Sequence, residues 1–199
     1  MIINLEGLDG AGKSTQAELS ARNLARRGLP ARVFHFPDYE TPTGIKIKAA
    51  LQNAAAAPGG ADELYRLFAA NRREVQPQIE AALSRGEVVL LDRYCASGWA
   101  YGIARGRSEE WLISLDRGLP LPDLVVVLDV PVALAQERMA HRRRDAYEGD
   151  TALLEAVRRA YLDLALRHGW RVVSDERPPE EVQRELWAAM EGMLEDAGL

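Results

Sequence analysis

The chain has 199 residues, 47% of them hydrophobic, which suits one ordinary domain with a buried core rather than two. Its net charge of −5 argues against a general nucleic-acid-binding protein, because such proteins carry a basic excess. No run approaches the roughly 18 apolar residues that span a bilayer, and no targeting segment is apparent, so we expect a cytoplasmic protein without a membrane partner. The single cysteine, Cys95, excludes an internal disulfide framework and a cysteine-rich zinc cluster.

Short apolar, β-branched runs alternate with longer segments whose apolar residues recur at helical spacing. The predicted strands cover residues 1–6, 32–36, 88–91, 124–129 and 171–173. The predicted helices cover residues 13–27, 44–52, 62–85, 99–103, 108–117, 131–142, 151–168 and 179–196. This alternation indicates an α/β fold, and because no repeat or linker divides the chain, we expect a single domain over residues 1–199.

Residues 7–14 (GLDGAGKS) match the phosphate-binding pattern G-x-x-x-x-G-K-[ST] and lie between the first predicted strand and the first predicted helix, as the pattern requires. Glycines let backbone N–H groups wrap a phosphate, Lys13 can reach the outer phosphates, and Ser14 can bind magnesium. The motif predicts a P-loop NTPase three-layer sandwich, with a five-stranded parallel sheet flanked by helices. The predicted ATP-binding residues here are Gly7, Leu8, Asp9, Gly10, Ala11, Gly12, Lys13, Ser14 and Thr15.

The motif alone does not separate a kinase from another ATPase or from a GTPase. A GTPase is disfavoured, because the chain contains no Asn-Lys pair of the kind that reads guanine. Asp92 and Arg93 follow the third predicted strand, at the sheet edge where open α/β folds bind ligands. Asp92 is suited to hold Mg²⁺ with Ser14, and Arg93 to bind the transferring phosphate. A structural ion pair at the strand end is the alternative for these two residues.

Residues 138–150 mix arginines with acidic residues between two predicted helices, and they predict a lid over ATP. Phosphoryl transfer places charge on the oxygens of the transferred group, so it requires cations more than a nucleophile. Arg138 and Arg142 are therefore the favoured catalytic and ATP-binding lid residues, within a run that continues through Arg143 and Arg144. A solvated helix face is the alternative for this run.

The segment Asp92-Arg93-Tyr94, followed by Ser97, Gly98 and Tyr101, resembles the D-R-[YH]-x-x-S-x-x-[AF]-[YF] segment of thymidylate kinases. The resemblance implies an enzyme that transfers the γ-phosphoryl group of ATP to dTMP, giving dTDP in dTTP biosynthesis, with Mg²⁺ as cofactor. It also implies a homodimer. Further segments agree in order and spacing, namely Phe36-Pro37, Leu67-Phe68-Ala69-Ala70-Asn71-Arg72, Pro122-Asp123-Leu124, Leu128-Asp129-Val130, Arg138 and Arg144-Asp145-Ala146-Tyr147-Glu148.

The same resemblance implies roles at the acceptor site, where Asp9 would lie near the deoxyribose 3′-hydroxyl and Tyr101 would exclude a 2′-hydroxyl. Phe68 and Arg72 lie four residues apart on a predicted helix and share a face. Phe68 would stack on the pyrimidine, and Arg72 would donate to a base carbonyl such as O4. The predicted dTMP-binding residues are Asp9, Phe36, Pro37, Tyr39, Phe68, Arg72, Arg93, Ser97, Gly98, Tyr101 and Glu148.

The predicted catalytic residues are Asp9, Lys13, Arg93, Arg138 and Arg142. Gly10 stands where some family members carry an arginine, which implies that the lid supplies the cation for the transition state. The three histidines, His35, His141 and His168, lack metal-ligand spacing and are assigned no chemistry. Two alternatives stay open: a kinase of this fold with a different acceptor, and a nucleotide-binding regulator without kinase activity.

Overall fold

The computed structural model describes residues 1–52, 61–140 and 150–198. Its five strands form a parallel sheet in the order β2-β3-β1-β4-β5. Residues of β1 and β3 are buried along their whole length, which accounts for their nearly continuous apolar sequences. The strands are β1 (Ile2–Glu6), β2 (Ala31–His35), β3 (Val88–Asp92), β4 (Leu124–Asp129) and β5 (Arg171–Ser174).

Helices cover both faces of this sheet, which gives the predicted three layers. The first and last helices, α1 and α8, pack on each other and on the strands, while α3, α4 and α7 form a second packed group that also contacts the sheet. None of the described helices is long and apolar enough to cross a membrane. The helices are α1 (Lys13–Arg26), α2 (Pro42–Gln52), α3 (Ala61–Ser84), α4 (Cys95–Ala104), α5 (Glu109–Leu115), α6 (Val132–Met139), α7 (Thr151–His168) and α8 (Pro179–Asp196).

The predicted α/β fold and parallel sheet are confirmed, and most element ends lie within two residues of the predicted ones. The prediction for α4 was wrong by four residues at its start, because the helix begins at Cys95 rather than at residue 99. Ser97 and Gly98 are weak helix formers that hid this first turn, whereas burial of Cys95 and Ala96 stabilises it. Helix α6 ends at Met139, short of the predicted residue 142, and most of the predicted lid, residues 141–149, lies outside the described residues.

The chain's polar segments meet at the carboxyl edge of the sheet. The phosphate-binding loop follows β1, which lies between β3 and β4. Asp92 ends β3, and Asp175 follows β5 directly. Parallel strands direct these segments to one edge, so the topology forms a single cleft from residues distant in sequence.

Candidate active site

A cavity of about 820 Å³ opens at the carboxyl edge of the sheet. Two predicted site residues, Arg142 and Glu148, lie outside the described residues. Gly7, Leu8 and Ala11 belong to the loop below the cavity and do not line it; the side chains of Leu8 and Ala11 are buried in the core. The predicted site residues that line the cavity are Asp9, Gly10, Gly12, Lys13, Ser14, Thr15, Phe36, Pro37, Tyr39, Phe68, Arg72, Asp92, Arg93, Ser97, Gly98, Tyr101 and Arg138.

Glycines determine the shape of the loop between β1 and α1. Gly7, Gly10 and Gly12 have φ values of 135°, 84° and 69°, in the region that residues with a Cβ rarely adopt. A Cβ on Gly7 would also lie 2.4 Å from the carbonyl oxygen of Leu128 in β4. The loop therefore packs closely on the sheet and leads into the N-terminus of α1, an arrangement that favours a bound anion.

Lys13 is buried in the first turn of α1 and folds back over the loop. Its Nζ donates hydrogen bonds to the carbonyl oxygens of Gly7 at 3.2 Å and Leu8 at 2.7 Å. Burial lowers the pKa of Lys13, and repulsion from Arg93 lowers it further, to about 8. The loop cation therefore loses its proton at a lower pH than an ordinary lysine does.

Asp92 lies beside this loop at the end of β3. It accepts a hydrogen bond from Ser14 Oγ at 2.6 Å, and His35 Nδ1 lies 3.1 Å from the same oxygen. Burial raises the pKa of Asp92, but the hydrogen bond from His35 and the charge of Lys13 lower it more, to about 2. Asp92 is therefore ionised at neutral pH. The contact with His35 was missed at the sequence level, because a histidine at a strand end carries no spacing signal.

Arg93 has a left-handed backbone, with φ of 66°, which is uncommon outside glycine. Its N–H donates to Leu5 O at 2.9 Å, and its guanidinium donates to Asp9 Oδ1 at 2.6 Å and Ser97 Oγ at 2.9 Å. The hydroxyl of Tyr161, on α7, lies 3.4 Å from Arg93 Nη1. Such strain is typical of functional positions, and here it directs the side chain across the mouth of the phosphate loop.

Glu6 is a buried carboxylate that binds the two hydroxyl groups in contact with Arg93. It accepts hydrogen bonds from Ser97 Oγ at 2.6 Å, the Tyr161 hydroxyl at 3.0 Å and the Tyr94 backbone N–H at 2.8 Å. Both hydroxyls that contact Arg93 are thus oriented by Glu6. No sequence motif marks this network, although a glutamate in a strand that is apolar apart from Asn4 was a usable signal.

Phe68 and Arg72 of α3 line the far part of the cavity. Arg72 is buried and donates from Nε and Nη2 to Asp116 Oδ1, at 3.0 Å and 2.6 Å. Phe36, which precedes a cis peptide bond to Pro37, lines the same cavity. An aromatic surface and a guanidinium therefore face the same space, as the four-residue spacing predicted.

Asn71, between Phe68 and Arg72 in sequence, fixes the loop after β2. Its Oδ1 accepts from Asp38 N at 2.9 Å, and its Nδ2 donates to Asp38 O at 2.9 Å and Thr41 Oγ1 at 2.7 Å. Tyr39, on this loop, is 39% exposed at the cavity edge. The buried amide of Asn71 thus satisfies loop backbone groups that would otherwise lack partners.

Arg138, at the end of α6, connects the phosphate loop to the end of β5. Its Nη1 donates to Gly10 O at 3.1 Å and to the Asp175 carboxylate, and its Nη2 donates to Asp175 O at 2.8 Å. Burial raises the pKa of Asp175 despite the opposing charge of Arg138. Asp175 and Arg177 also line the cavity, and the sequence contained no motif that marked them.

The chain is similar to known proteins both in sequence and in structure. The family model described as "Thymidylate kinase" matches residues 5–186. The chain is 39% identical to the thymidylate kinase of Pseudomonas putida (strain W619) and 37% identical to the probable thymidylate kinase of Thermococcus kodakarensis, in both cases over 98% of each chain. The solved structure of Candida albicans thymidylate kinase superimposes with a TM-score of 0.80 at 30% identity, over 96% of this chain and 91% of that chain.

Proposed function

The chain belongs to the thymidylate kinase family and phosphorylates dTMP to dTDP with ATP, and we propose that the cavity at the sheet edge is its active site. The observation that carries the proposal is the position of Arg93. Its guanidinium contacts Asp9 of the phosphate loop and lines the same cavity as Phe68 and Arg72. A phosphoryl group passing between two nucleotides would cross this point.

The ATP phosphates bind in the loop between β1 and α1. Backbone N–H groups of residues 7–15 surround the β- and γ-phosphates, and Lys13 exchanges its carbonyl contacts for phosphate oxygens. The positive φ values of Gly10 and Gly12 support this assignment, because they turn successive N–H groups into one concave surface. Arg138, which contacts Gly10 and Asp175, borders the same side of the cavity.

Ser14 and Asp92 would hold the Mg²⁺ that accompanies ATP. Their side chains, 2.6 Å apart, supply a hydroxyl and an ionised carboxylate, the oxygen ligands that Mg²⁺ prefers. The described residues include no group of three or more His, Cys, Asp or Glu side chains suited to a metal. When bound, Mg²⁺ neutralises charge on the ATP phosphates.

The acceptor dTMP binds with its base between Phe68 and the Phe36 side of the cavity. Arg72 donates to O4 of thymine, and Tyr101 leaves no room for a 2′-hydroxyl. Asp9 accepts from the 3′-hydroxyl, while Arg93 binds the acceptor phosphate. The distances among Asp9, Arg93 and Ser97 support this placement, because they fix the guanidinium that the acceptor phosphate would meet.

Transfer then requires one displacement. A phosphate oxygen of dTMP attacks the γ-phosphorus of ATP, the bond to the β,γ-bridging oxygen breaks, and ADP leaves with that electron pair. Lys13 and Arg93 stabilise the charge on the transferred group. A lid contribution from Arg142, a role for Glu148, a homodimer and a cytoplasmic location stay predictions.

An acceptor screen tests the proposal. dTMP, dUMP, UMP, CMP and thymidine are incubated with ATP and Mg²⁺, and ADP and the phosphorylated products are quantified by chromatography. We expect dTDP as the main product and its loss in Lys13→Ala. Turnover of another acceptor without dTMP turnover would overturn the proposal, as would dTDP formation that survives Lys13→Ala unchanged.

A further inference from the structure

A buried carboxylate outside the cavity controls the orientation of Arg72. Asp116 directly follows helix α5 and is 6% exposed. Its Oδ1 accepts both Nε and Nη2 of Arg72, at 3.0 Å and 2.6 Å. Because two donors of one planar guanidinium bind the same oxygen, the end of the Arg72 side chain has little freedom to rotate.

The second oxygen of Asp116 is fixed as well. Trp99 Nε1 donates to Oδ2 at 3.0 Å, and the Trp99 ring is stacked on Trp170, with ring centres 6.1 Å apart and planes 28° apart. Trp99 itself lies in α4, between Gly98 and Tyr101, but unlike them it does not line the cavity. The carboxylate is thus held from both sides by groups that can only donate.

Space is left on the cavity side of the guanidinium. A Cβ on Gly98 would lie 3.6 Å from Arg72 Nη2 and 3.9 Å from Nη1, so any longer side chain there would press against the guanidinium. Glycine at this position places no side chain against the guanidinium, and both residues line the cavity.

We propose that Asp116 and Trp99 are positioning residues that make Arg72 select thymine over cytosine. The inference rests on the proposed contact between Arg72 and the acceptor base. Thymine presents a carbonyl oxygen at position 4, whereas cytosine presents an amino group that donates. Arginine only donates, so a guanidinium fixed in one orientation binds the first base and rejects the second.

Asparagine at position 116 provides a sharp test. Arg72 and Trp99 donate to different oxygens of Asp116. Asp116→Asn replaces one of these oxygens with an amino group that donates, so in this geometry it accepts from only one of the two partners. Trp99→Phe removes the second donor and keeps the ion pair. The matched control is Asp129→Asn, which breaks the ion pair with Arg158 among residues that do not line the cavity.

The readout is kcat/KM for dTMP and for dCMP, measured at saturating ATP, with urea unfolding of every variant as a check on folding. We expect the ratio of dTMP to dCMP to fall about tenfold in Asp116→Asn, the worth of about one hydrogen bond, and several-fold in Trp99→Phe. The KM for ATP should stay within twofold. The control Asp129→Asn should keep the wild-type ratio.

The result that overturns the inference is an equal loss of dTMP and dCMP turnover in both variants, which is what general loosening of the fold would give. If Asp116→Asn does not fold, Trp99→Phe decides alone. Arg72→Ala tests the base contact separately from the positioning role. If the ratio of kcat/KM for dTMP to that for dCMP is unchanged in this variant, the base contact itself is refuted. A changed ratio in Arg72→Ala with unchanged ratios in Asp116→Asn and Trp99→Phe refutes only the positioning role.

Discussion

The carboxylate of Asp9 lies 2.6 Å from Nη2 of Arg93, and this contact joins the phosphate loop to the acceptor side of the cavity. Burial raises the pKa of Asp9, but the charges of Arg93 and Lys13 lower it more, so the net shift is downward. Asp9 is therefore an ionised group between two cations. It holds Arg93 in place, and in the proposed site it accepts a hydrogen bond from a substrate hydroxyl.

Replacing Asp9 with asparagine should lower kcat/KM for dTMP by about ten- to a hundredfold, the range of one charge-assisted hydrogen bond. The KM for ATP should change less, because the loop backbone is intact. Steady-state kinetics with each substrate varied in turn measures both effects. Asp163→Asn is the control, because it removes a carboxylate that pairs with Arg167 on the exposed surface of α7. A loss no larger than in that control would contradict the role of Asp9.

The pKa of Lys13 predicts how activity depends on pH. Because this pKa is lowered to about 8, the free enzyme loses the loop cation as pH rises through that value. Phosphate binding favours the protonated amine, so kcat/KM for ATP should fall above pH about 8, approaching tenfold per pH unit. Initial rates from pH 7 to 9.5 at saturating Mg²⁺ measure the profile.

Two variants separate Lys13 from other titrating groups. Lys13→Arg keeps its charge over this range, so its profile should be flat even though its rate is lower. Lys46→Ala removes an exposed lysine and should leave the profile unchanged. A wild-type profile that is flat to pH 9.5 would rule out a lowered pKa at Lys13.

Much of the donor side was predictable from sequence because backbone conformation determines it. The glycines and Lys13 of the phosphate loop form a contiguous sequence motif. The spacing of its residues predicts the conformation of the loop. Asp92 and Arg93 were located by the rule that ligands bind at the carboxyl ends of parallel strands. The alternation of apolar strands and helices predicted the sheet in the same way.

The supporting residues could not be predicted, because tertiary contacts between distant segments create their roles. Asp116 contacts Arg72 from 44 positions further along the chain, and Tyr161 contacts Glu6 over 155 positions. Neither has a spacing that a sequence pattern can record. The helix start at Cys95 was missed for a related reason, since burial outweighed the weak helix propensity of Ser97 and Gly98.

Phe68→Ala should raise the KM for dTMP about tenfold, because loss of an aromatic stacking surface removes roughly 1–1.5 kcal/mol. The KM for ATP should not change. Leu67→Ala is the matched control, because Leu67 packs against the same apolar cluster as Phe68 but does not line the cavity. Both variants should lose stability in urea, and only Phe68→Ala should lose dTMP affinity. Equal changes in the two KM values would contradict base stacking.

The packing around position 10 of the phosphate loop favours glycine there over a larger residue such as arginine. The φ of Gly10 is 84°, and a Cβ there would lie 2.5 Å from the carbonyl oxygen of Ala135 in α6. Arg138 of the same helix donates to Gly10 O, so α6 contacts the loop at two points. Any side chain at position 10 must first displace a helix backbone. Packing of α6 thus disfavours a side chain at position 10, and the lid as source of the transition-state cation stays a prediction.

Gly10→Ala and Gly28→Ala together separate backbone strain from collision. Gly28 has φ of 77° with no atom within 4 Å of an added Cβ, so alanine there should cost only the left-handed conformation, about 1–2 kcal/mol. Gly10→Ala should cost about 1–3 kcal/mol more, the usual penalty for overpacking, and should raise the KM for ATP as the loop shifts. Urea unfolding and ATP-dependent kinetics measure both. If the two variants lose the same stability and bind ATP equally well, α6 does not restrict the loop. In that case the protein should also tolerate Gly10→Arg, which would add a cation to the loop.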